Sequence, residues 1–455
     1  MSAIFWFRKD LRVQDNEALY AAITSTKDIY PLFAFESKEY EELEGIRQHS
    51  LTESLNSLKE SLGNALSVFS YQQIDKLGQI MFDACLATGS KQVFAMQRFD
   101  PQGVLEQQLV AKALNAKDLE LKLIGSAYAV TPGTVRKPDG SNYRVYTPFF
   151  KSWDQLANTG PIRVPGKTVS WLSLPQNSAI PVPTKASPIK VVAGEAFALR
   201  TFNRFQTRAV TNYSEDRNRA DLSGTSHLSH ALAHGEIHPR TLLAELGDDQ
   251  GSFVFRKEIA WREFYADVLH HYPHTQTDYY EPRFKKLRYD EGAQAQDRFT
   301  TWCQGKTGYP MVDAGMRQLL AEGWMHNRVR MIVASFLVKD LHLEWTQGAL
   351  HFEKHLSDFD PASNAHGWQW TAGCGTDASP YYRIFNPVMQ GLKFDPNGDY
   401  VRKYIPELRH LDGADVHEPW NVFSGYDLGY PEPMVDHAQE RNDALARLEE
   451  LKNLS

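Results

Sequence analysis

Residues 255–265, FRKEIAWREFY, carry helical patterning. Glu258, Trp261, Arg262 and Tyr265 fall at i, i+3, i+4 and i+7, so one face holds a carboxylate, an indole and a guanidinium. Such a face can line a pocket for a flat, polar heterocycle, or it is an amphipathic helix with an i,i+4 Glu–Arg pair. Trp324, Asn327, Arg328 and Met331 share a second face, with Arg330 on its flank. Asp358 and Asp360 precede Pro361, and SNAHGWQW follows at 363–370. The spacing is not that of a calcium loop, and no metal site is expected. The run is instead a dense set of polar groups and indoles, costly to bury without partners. Arg283, Lys285, Lys286 and Arg288, with Arg217 and Arg219, are either a phosphate track or a solvated surface. GKT at 305–307 is not a phosphate loop, because Thr300 stands where that pattern needs glycine.

The elements that must position these residues divide the chain in two. Short apolar runs at Ala3–Phe7, Ile29–Phe35, Ala65–Tyr71, Gln92–Met96 and Glu120–Ile124 read as strands. Helical stretches at 44–62, 74–88 and 101–116 separate them, which predicts a doubly wound parallel α/β sheet. No G-x-G-x-x-G follows the first strand, so the dinucleotide fingerprint is missing. Six prolines within 161–188 mark a long connector that need not form regular structure. Beyond it, 197–210, 226–247, 253–271, 310–322 and 325–342 read as helices, and the second domain is expected to be all-α. The expected division is residues 1–130, a linker over 131–195, and 196–455.

Bulk properties set limits. At 455 residues, two domains are the default. The net charge of −7 supplies no basic surplus, so any nucleic-acid contact must use a local patch. Cys85, Cys303 and Cys374 are widely spaced, which argues against a disulfide framework or a zinc site. The apolar run at the N-terminus is too short for a secretory signal or a membrane span, so a cytoplasmic location is expected.

Together these stretches resemble the DNA photolyase/cryptochrome family, and within it the class I cyclobutane pyrimidine dimer photolyases. The resemblance begins at WFRKDLR, residues 6–12, with Asp15 and Asn16. It continues through 143–153, Gly224-Thr225-Ser226 and 261–265, and is densest over 305–391, including WMHNRVRM at 324–331 and GTDASPYYRIFNP at 375–387. It implies an α/β antenna domain and a helical domain that buries a folded FAD. The implied activity is that of a carbon–carbon lyase: light-driven repair of pyrimidine dimers in DNA by electron transfer from reduced FAD.

By position, Tyr213 and Thr225, Ser226, His227, Leu228 and Ser229 resemble the residues that hold the FAD phosphates and ribitol. Arg262, Arg330, Asp358, Phe359 and Asp360 resemble those around the flavin ring, with Arg330 pairing Asp358. Glu258 and Asn327 belong to both the cofactor and the lesion sets. Asn364 resembles the asparagine that faces flavin N5, and argues for a fully reduced, anionic flavin. Glu258, Trp261, Asn327 and Met331 resemble the dimer pocket, where Trp261 stacks on a flipped-out lesion. Relatives that repair the (6-4) lesion carry histidines where this chain has Asn327 and Met331. Arg217, Arg328 and Gln390, with Trp261 and Asn327, resemble DNA contacts. Damaged DNA is the expected partner, bound by a monomer with no membrane association.

The chain departs from the family at several positions. His227 replaces a usual Arg or Lys. Trp368 and Trp345 match the inner two members of the family's electron-transfer tryptophans, while Tyr289 stands in the place of the outermost. Gln102 and Gly103 replace the Asn-Glu pair of folate-binding relatives, so a second chromophore (folate, deazaflavin or flavin) is left open. His366 stands where close relatives have glycine. A cryptochrome-like photoreceptor is the alternative on the same scaffold. A thermal flavin oxidoreductase lacks a nicotinamide fingerprint. Glu258, Trp261 and Met331, with no long extension after about residue 430, favour the enzyme.

Overall fold

The computed structural model describes residues 2–163, 165–377 and 382–453. Of the 375–387 motif, residues 378–381 lie outside the described residues. The chain forms two compact units, Met1–Thr211 with Ser226–Pro273, and Asn212–Thr225 with His274–Ser455.

The first unit is built on strands β1 (Ser2–Phe7), β2 (Asp28–Glu36), β3 (Ser67–Tyr71), β4 (Gln92–Ala95), β5 (Glu120–Leu123) and β6 (Ser170–Trp171). The first five coincide with the apolar runs. They pair in parallel in the order β3-β2-β1-β4-β5. β1 is buried from Ala3 to Phe7 because a parallel strand between two helical layers must be apolar on both faces. Its side chains alternate between two cores: Phe5 and Phe7 pack with Leu19 and Leu58, and Ile4 and Trp6 with Met81 and Leu114. Helices Gly45–Ser61, Lys76–Thr88 and Pro101–Asn115 occupy the expected stretches. Helix Glu17–Ser25 is additional, capped by Asn16, whose Oδ1 accepts from Leu19 N at 3.1 Å.

The proline-rich connector is not wholly irregular: β6 pairs with β2, and Ser170 N donates to Lys27 O at 2.7 Å. Extending the sheet satisfies backbone groups that a featureless crossing would leave unpaired. The single helix expected over 226–247 is two, Ser229–His234 and Pro239–Ala244. Gly235 ends the first at φ +69°, and a Cβ there would lie 2.1 Å from Lys9 O, so only glycine fits. His238 caps the second through Nδ1, and Pro239 starts it where no N–H is needed. Helix Gln250–His271 follows, capped by the Asp249 carboxylate on Ser252 N.

Among its described residues the second unit has no strand. Its helices include Ala293–Cys303, Pro310–Glu322, Asn327–Lys339, Trp345–His355, Pro361–Ala372, Pro387–Phe394 and His437–Asn453. They enclose a core around Trp302, Met316, Phe336, Trp345 and Trp368. No helix among the described residues is long and apolar enough to cross a membrane.

Candidate functional site

In the first unit, helix Gln250–His271 divides its two faces by chemistry. Phe255, Ile259, Glu263, Phe264 and Asp267 are buried, whereas Glu258, Trp261, Arg262 and Tyr265 lie half-buried on the other side. The buried carboxylates anchor the helix. Glu263 accepts from Ala129 N at 2.6 Å, Val130 N at 2.9 Å and Trp153 Nε1 at 2.6 Å, and Asp267 accepts from Gly133 N at 2.6 Å. Burial raises the Glu263 pKa against these donors, and it pushes Asp267 up to about 6. Trp261 lies flat on Tyr146, with centroids 3.7 Å apart and planes 8° apart. The Tyr146 hydroxyl donates to Lys257 O at 2.7 Å, so the ring beneath the indole is itself fixed. Arg262 donates to Ala127 O and Leu232 O at 3.1 and 3.2 Å, with its guanidinium 4.5 Å from the Tyr128 ring centroid.

Ser226, His227 and Leu228 lead into helix Ser229–His234. The Ser226 hydroxyl accepts from Leu228 N at 3.4 Å, and His227 is exposed at φ +53°, a left-handed conformation uncommon for histidine. Thr225 belongs to the second unit, as does Tyr213, which is buried at the start of helix Tyr213–Asp216.

Apart from Arg262, the residues expected around a flavin ring lie in the second unit. Arg330 donates from Nη2 to Asp358 at 2.7 Å and from Nε to Met325 O at 2.8 Å. This is the expected pair, and it ties helix Asn327–Lys339 to the segment before helix Pro361–Ala372. The second Asp358 oxygen is buried with no hydrogen-bond partner among the described residues. The Asp360 carboxylate accepts from Ser363 N at 2.8 Å and caps the helix. Phe359 packs against the core. Asn364 donates from Nδ2 to Ala349 O at 3.1 Å, which leaves Oδ1 as an oriented acceptor. Trp368 sits one turn further on and is buried. A Cβ on Gly348 would lie 2.1 Å from its ring, so the indole rests on the backbone of helix Trp345–His355. This donor set fits a flavin: an acceptor amide, a carboxylate oxygen in want of a donor, and a fixed arginine. His366 is buried beside Thr275, and burial lowers its pKa to about 4, so it is neutral at neutral pH.

Trp345 is fully buried. The Tyr279 ring lies 5.9 Å from it, edge-on at 87°, and the Tyr279 and Tyr289 hydroxyls are 3.2 Å apart. Trp302 also meets Trp368, at 6.2 Å, but it is wholly buried and its Nε1 donates to Val333 O.

Asn327 is exposed and Met331 half-buried, one turn apart at the start of their helix. The neighbouring His326 is buried and caps that helix through Nδ1, accepting from Arg328 N at 3.2 Å. Arg328 donates to Asn218 Oδ1 at 2.8 Å and lies 4.6 Å from the Phe394 ring centroid. This joins the loop carrying Arg217 to helix Pro387–Phe394, where Gln390 is half-buried. Three of the expected DNA contacts thus share one neighbourhood. In the run 283–288, Lys285 pairs with Asp278, and Arg288 with Glu450 and Asp443, as half-exposed ion pairs.

The sequence reading missed Tyr146, Glu263 and Tyr279. Tyr146 lies inside the quoted 143–153 stretch, where an aromatic-rich run was the available signal. Tyr279 carried none.

Comparison with known proteins agrees with this layout. Residues 3–166 match the family described as DNA photolyase, and 255–450 match the FAD binding domain of DNA photolyase. A protein of Agrobacterium fabrum named deoxyribodipyrimidine photo-lyase is 37% identical, covering 97% of this chain and 96% of its own. The crystal structure of a bacterial class III photolyase from Agrobacterium tumefaciens is similar at TM-score 0.89 and 34% identity, covering 99% and 98% of the two chains. That of a Synechocystis cryptochrome is similar at TM-score 0.87 and 26% identity, covering 98% of each. A paired arginine and aspartate, an oriented asparagine and a tryptophan one turn beyond it lie within the FAD-binding match, and the chain belongs to the DNA photolyase family.

Proposed function

We infer that the protein splits cyclobutane pyrimidine dimers in DNA, driven by light and using reduced FAD. The observation that carries the substrate is the face at the start of helix Asn327–Lys339. Asn327 and Met331 occupy it, and the adjacent His326 is buried and caps the helix. Opening a (6-4) lesion needs a proton donor, and dimer splitting by electron transfer does not.

When bound, reduced FAD would supply the light-driven electron transfer that dimer splitting requires. The chain supplies placement. Arg330 and Asp358 would hold the polar edge of the ring, and the Asn364 oxygen would offer it a hydrogen-bond acceptor. Tyr213 and Thr225–Ser229 are assigned to the phosphates and ribitol, and Arg262 and Phe359 to the flavin surroundings. Trp261, backed by Tyr146, offers a planar face to a flipped pyrimidine. Glu258 hydrogen-bonds a pyrimidine edge and stabilises charge on the opening dimer. Arg217, Arg328 and Gln390 contact the strand. Trp368 and Trp345 carry electrons to the flavin, with Tyr289 downstream.

We assign the enzyme to a reducing compartment, as a monomer acting on damaged DNA. A folate antenna held through residue 103 has no side chain to hold it: Gly103 packs so that a Cβ would meet Arg98 Cβ at 2.4 Å. The switch point of the sheet between β1 and β4, where such folds hold ligands, carries Arg8 and Arg98. Both bond Glu106, at 2.6 and 3.1 Å.

The test is blue-light irradiation of a dimer-containing oligonucleotide with protein whose flavin is chemically reduced. Restored pyrimidine absorbance is expected, with a (6-4) oligonucleotide unchanged. Absence of repair with reduced flavin bound would favour the photoreceptor alternative.

A further inference from the structure

The route from Trp345 to solvent differs in kind from a third indole. Tyr279 is 5% exposed and meets Trp345 edge-on. Its hydroxyl lies 2.9 Å from Glu344 Oε1 and 3.2 Å from the Tyr289 hydroxyl. A phenol has one hydrogen, and a carboxylate can only accept. The Tyr279 hydrogen therefore goes to Glu344, and its oxygen accepts from Tyr289. The result is a directed chain of hydrogen bonds, Tyr289 to Tyr279 to Glu344. Glu344 stands at the N-cap position of helix Trp345–His355, yet its side chain makes no capping bond there. The carboxylate is committed to the phenol instead.

We propose that Tyr279, Tyr289 and Glu344 form a proton-coupled relay that takes the oxidising equivalent from Trp345 and holds it as a neutral tyrosyl radical. Tyr279 and Glu344 are positioned for this by the edge-on contact with Trp345 and the hydrogen bond between them. The inference rests on the assignment of Trp368 and Trp345 to light-driven flavin reduction, the chemistry the bound cofactor supplies.

The balance closes. One electron passes from Tyr279 to the oxidised Trp345 ring, while the Tyr279 proton passes to the Glu344 carboxylate. Trp345 is restored, Tyr279 becomes a neutral radical, and Glu344 becomes a neutral acid. A hydrogen atom then moves from the Tyr289 hydroxyl to the Tyr279 oxygen, and the radical resides on Tyr289. A diffusible thiol returns a hydrogen atom to Tyr289 and leaves as a thiyl radical, while half-buried Glu344 releases its proton to water. The sum is one electron delivered inward, one thiol oxidised to its radical and one proton released.

The coupling to proton transfer is what makes a tyrosine usable here. An oxidised phenol that keeps its proton carries a buried positive charge, which the interior opposes. Burial and the facing carboxylate also hold the Tyr279 phenol above its ordinary pKa, so it starts protonated. Trp302, whose ring centroid lies 6.2 Å from that of Trp368, has no such exit: its N–H is bonded to a backbone carbonyl, a poor proton acceptor, and it is fully buried.

The experiment is flash excitation of the flavin-loaded protein with detection of radicals by electron paramagnetic resonance and transient absorption. The parent is expected to give a tyrosyl radical whose formation slows in deuterated water. Tyr279→Phe is expected to abolish it and leave a short-lived tryptophan cation. Tyr289→Phe is expected to keep a tyrosyl signal that decays faster. Glu344→Gln, which preserves shape, is expected to slow tyrosyl formation by roughly tenfold, the rate equivalent of one charge-assisted hydrogen bond. An unchanged tyrosyl signal in Tyr279→Phe, or an unchanged rate and deuterium effect in Glu344→Gln, would overturn the relay. Dimer repair by the parent with chemically reduced flavin is measured in parallel. It reports on the proposed function alone, since no flavin photoreduction is needed there.

Discussion

Trp261 and Tyr146 illustrate what one residue asks of another. A half-buried indole on a helix face is free to rotate about two side-chain torsions unless something fixes its plane. The Tyr146 ring does so at 3.7 Å, and its hydroxyl is anchored on Lys257 O. An aromatic pair is worth about 0.5–1.5 kcal/mol beyond its buried area. Tyr146→Ala is therefore expected to weaken binding of a dimer-containing oligonucleotide by roughly two- to tenfold. Tyr146→Phe keeps the stack and loses only the anchor, and is expected to change binding by less than about threefold. Fluorescence titration with damaged and undamaged strands measures both. Equal losses on the two strands would show that Tyr146 supports the fold and not the stacking surface. The Trp261 face was legible in sequence because i, i+3, i+4 and i+7 are local relations. Tyr146 and Tyr279 were not, because each acts on a partner far along the chain, and nothing local in either stretch marks the contact. Asn364 and Trp368 stood out through the family resemblance, within a polar run rich in indoles; their spacing alone marked neither. Asp360 was legible only as part of a polar run; its capping bond to Ser363 N appears once the helix start is known.

At the scale of elements, helix Gln250–His271 is held by buried acids on the face opposite Trp261. Asp267 accepts one bond from Gly133 N, while its second oxygen has no hydrogen-bond partner among the described residues. Burial raises its pKa from an ordinary 3.8 to about 6. The sign follows from proton binding. Between those values the folded state holds the proton more tightly than the unfolded chain, so stability falls as pH rises through the window. Above it, the cost of a buried charge is complete. Asp267→Asn imitates the protonated acid. It is expected to stabilise the protein by on the order of 1–3 kcal/mol near pH 8 and by little near pH 4. Denaturant midpoints of parent and variant at the two pH values test this, and a difference independent of pH would remove Asp267 titration as its source. The helix was foreseen over 253–271 from its periodicity. Nothing in that periodicity distinguishes buried Glu263 and Asp267 from surface acids, because their partners are backbone N–H groups of a distant loop. The break at 235–238 was likewise hidden: a Gly and a Pro were visible, but the clash with Lys9 O that makes Gly235 obligatory is tertiary.

On the scale of the whole molecule, a net charge of −7 has to be reconciled with a polyanionic substrate. Composition alone required any nucleic-acid contact to use a local patch, because it supplies no basic surplus. Much of the basic inventory is spent internally, as in Arg8 and Arg98 on Glu106 or Arg288 on Glu450 and Asp443. What matters is the local set that Asn218 and Phe394 gather around Arg328, with Arg217 on the adjoining loop. A small set of phosphate contacts gives a shallow salt dependence, about 0.9 in log K per log salt for each neutralised duplex phosphate. Arg217→Ala is expected to reduce that slope by about 1 and to weaken damaged and undamaged DNA alike. Asn327→Ala, in the same unit, is expected to leave the slope unchanged. It should lower the preference for dimer-containing DNA by about 1 kcal/mol, the net worth of a hydrogen bond to the lesion. Binding isotherms over a salt series, on both strands and with both variants, separate the two effects. A slope that falls in Asn327→Ala, or a lost lesion preference in Arg217→Ala, would reverse the assignments. Strand affinity and lesion recognition would then not be carried by different residues of this unit.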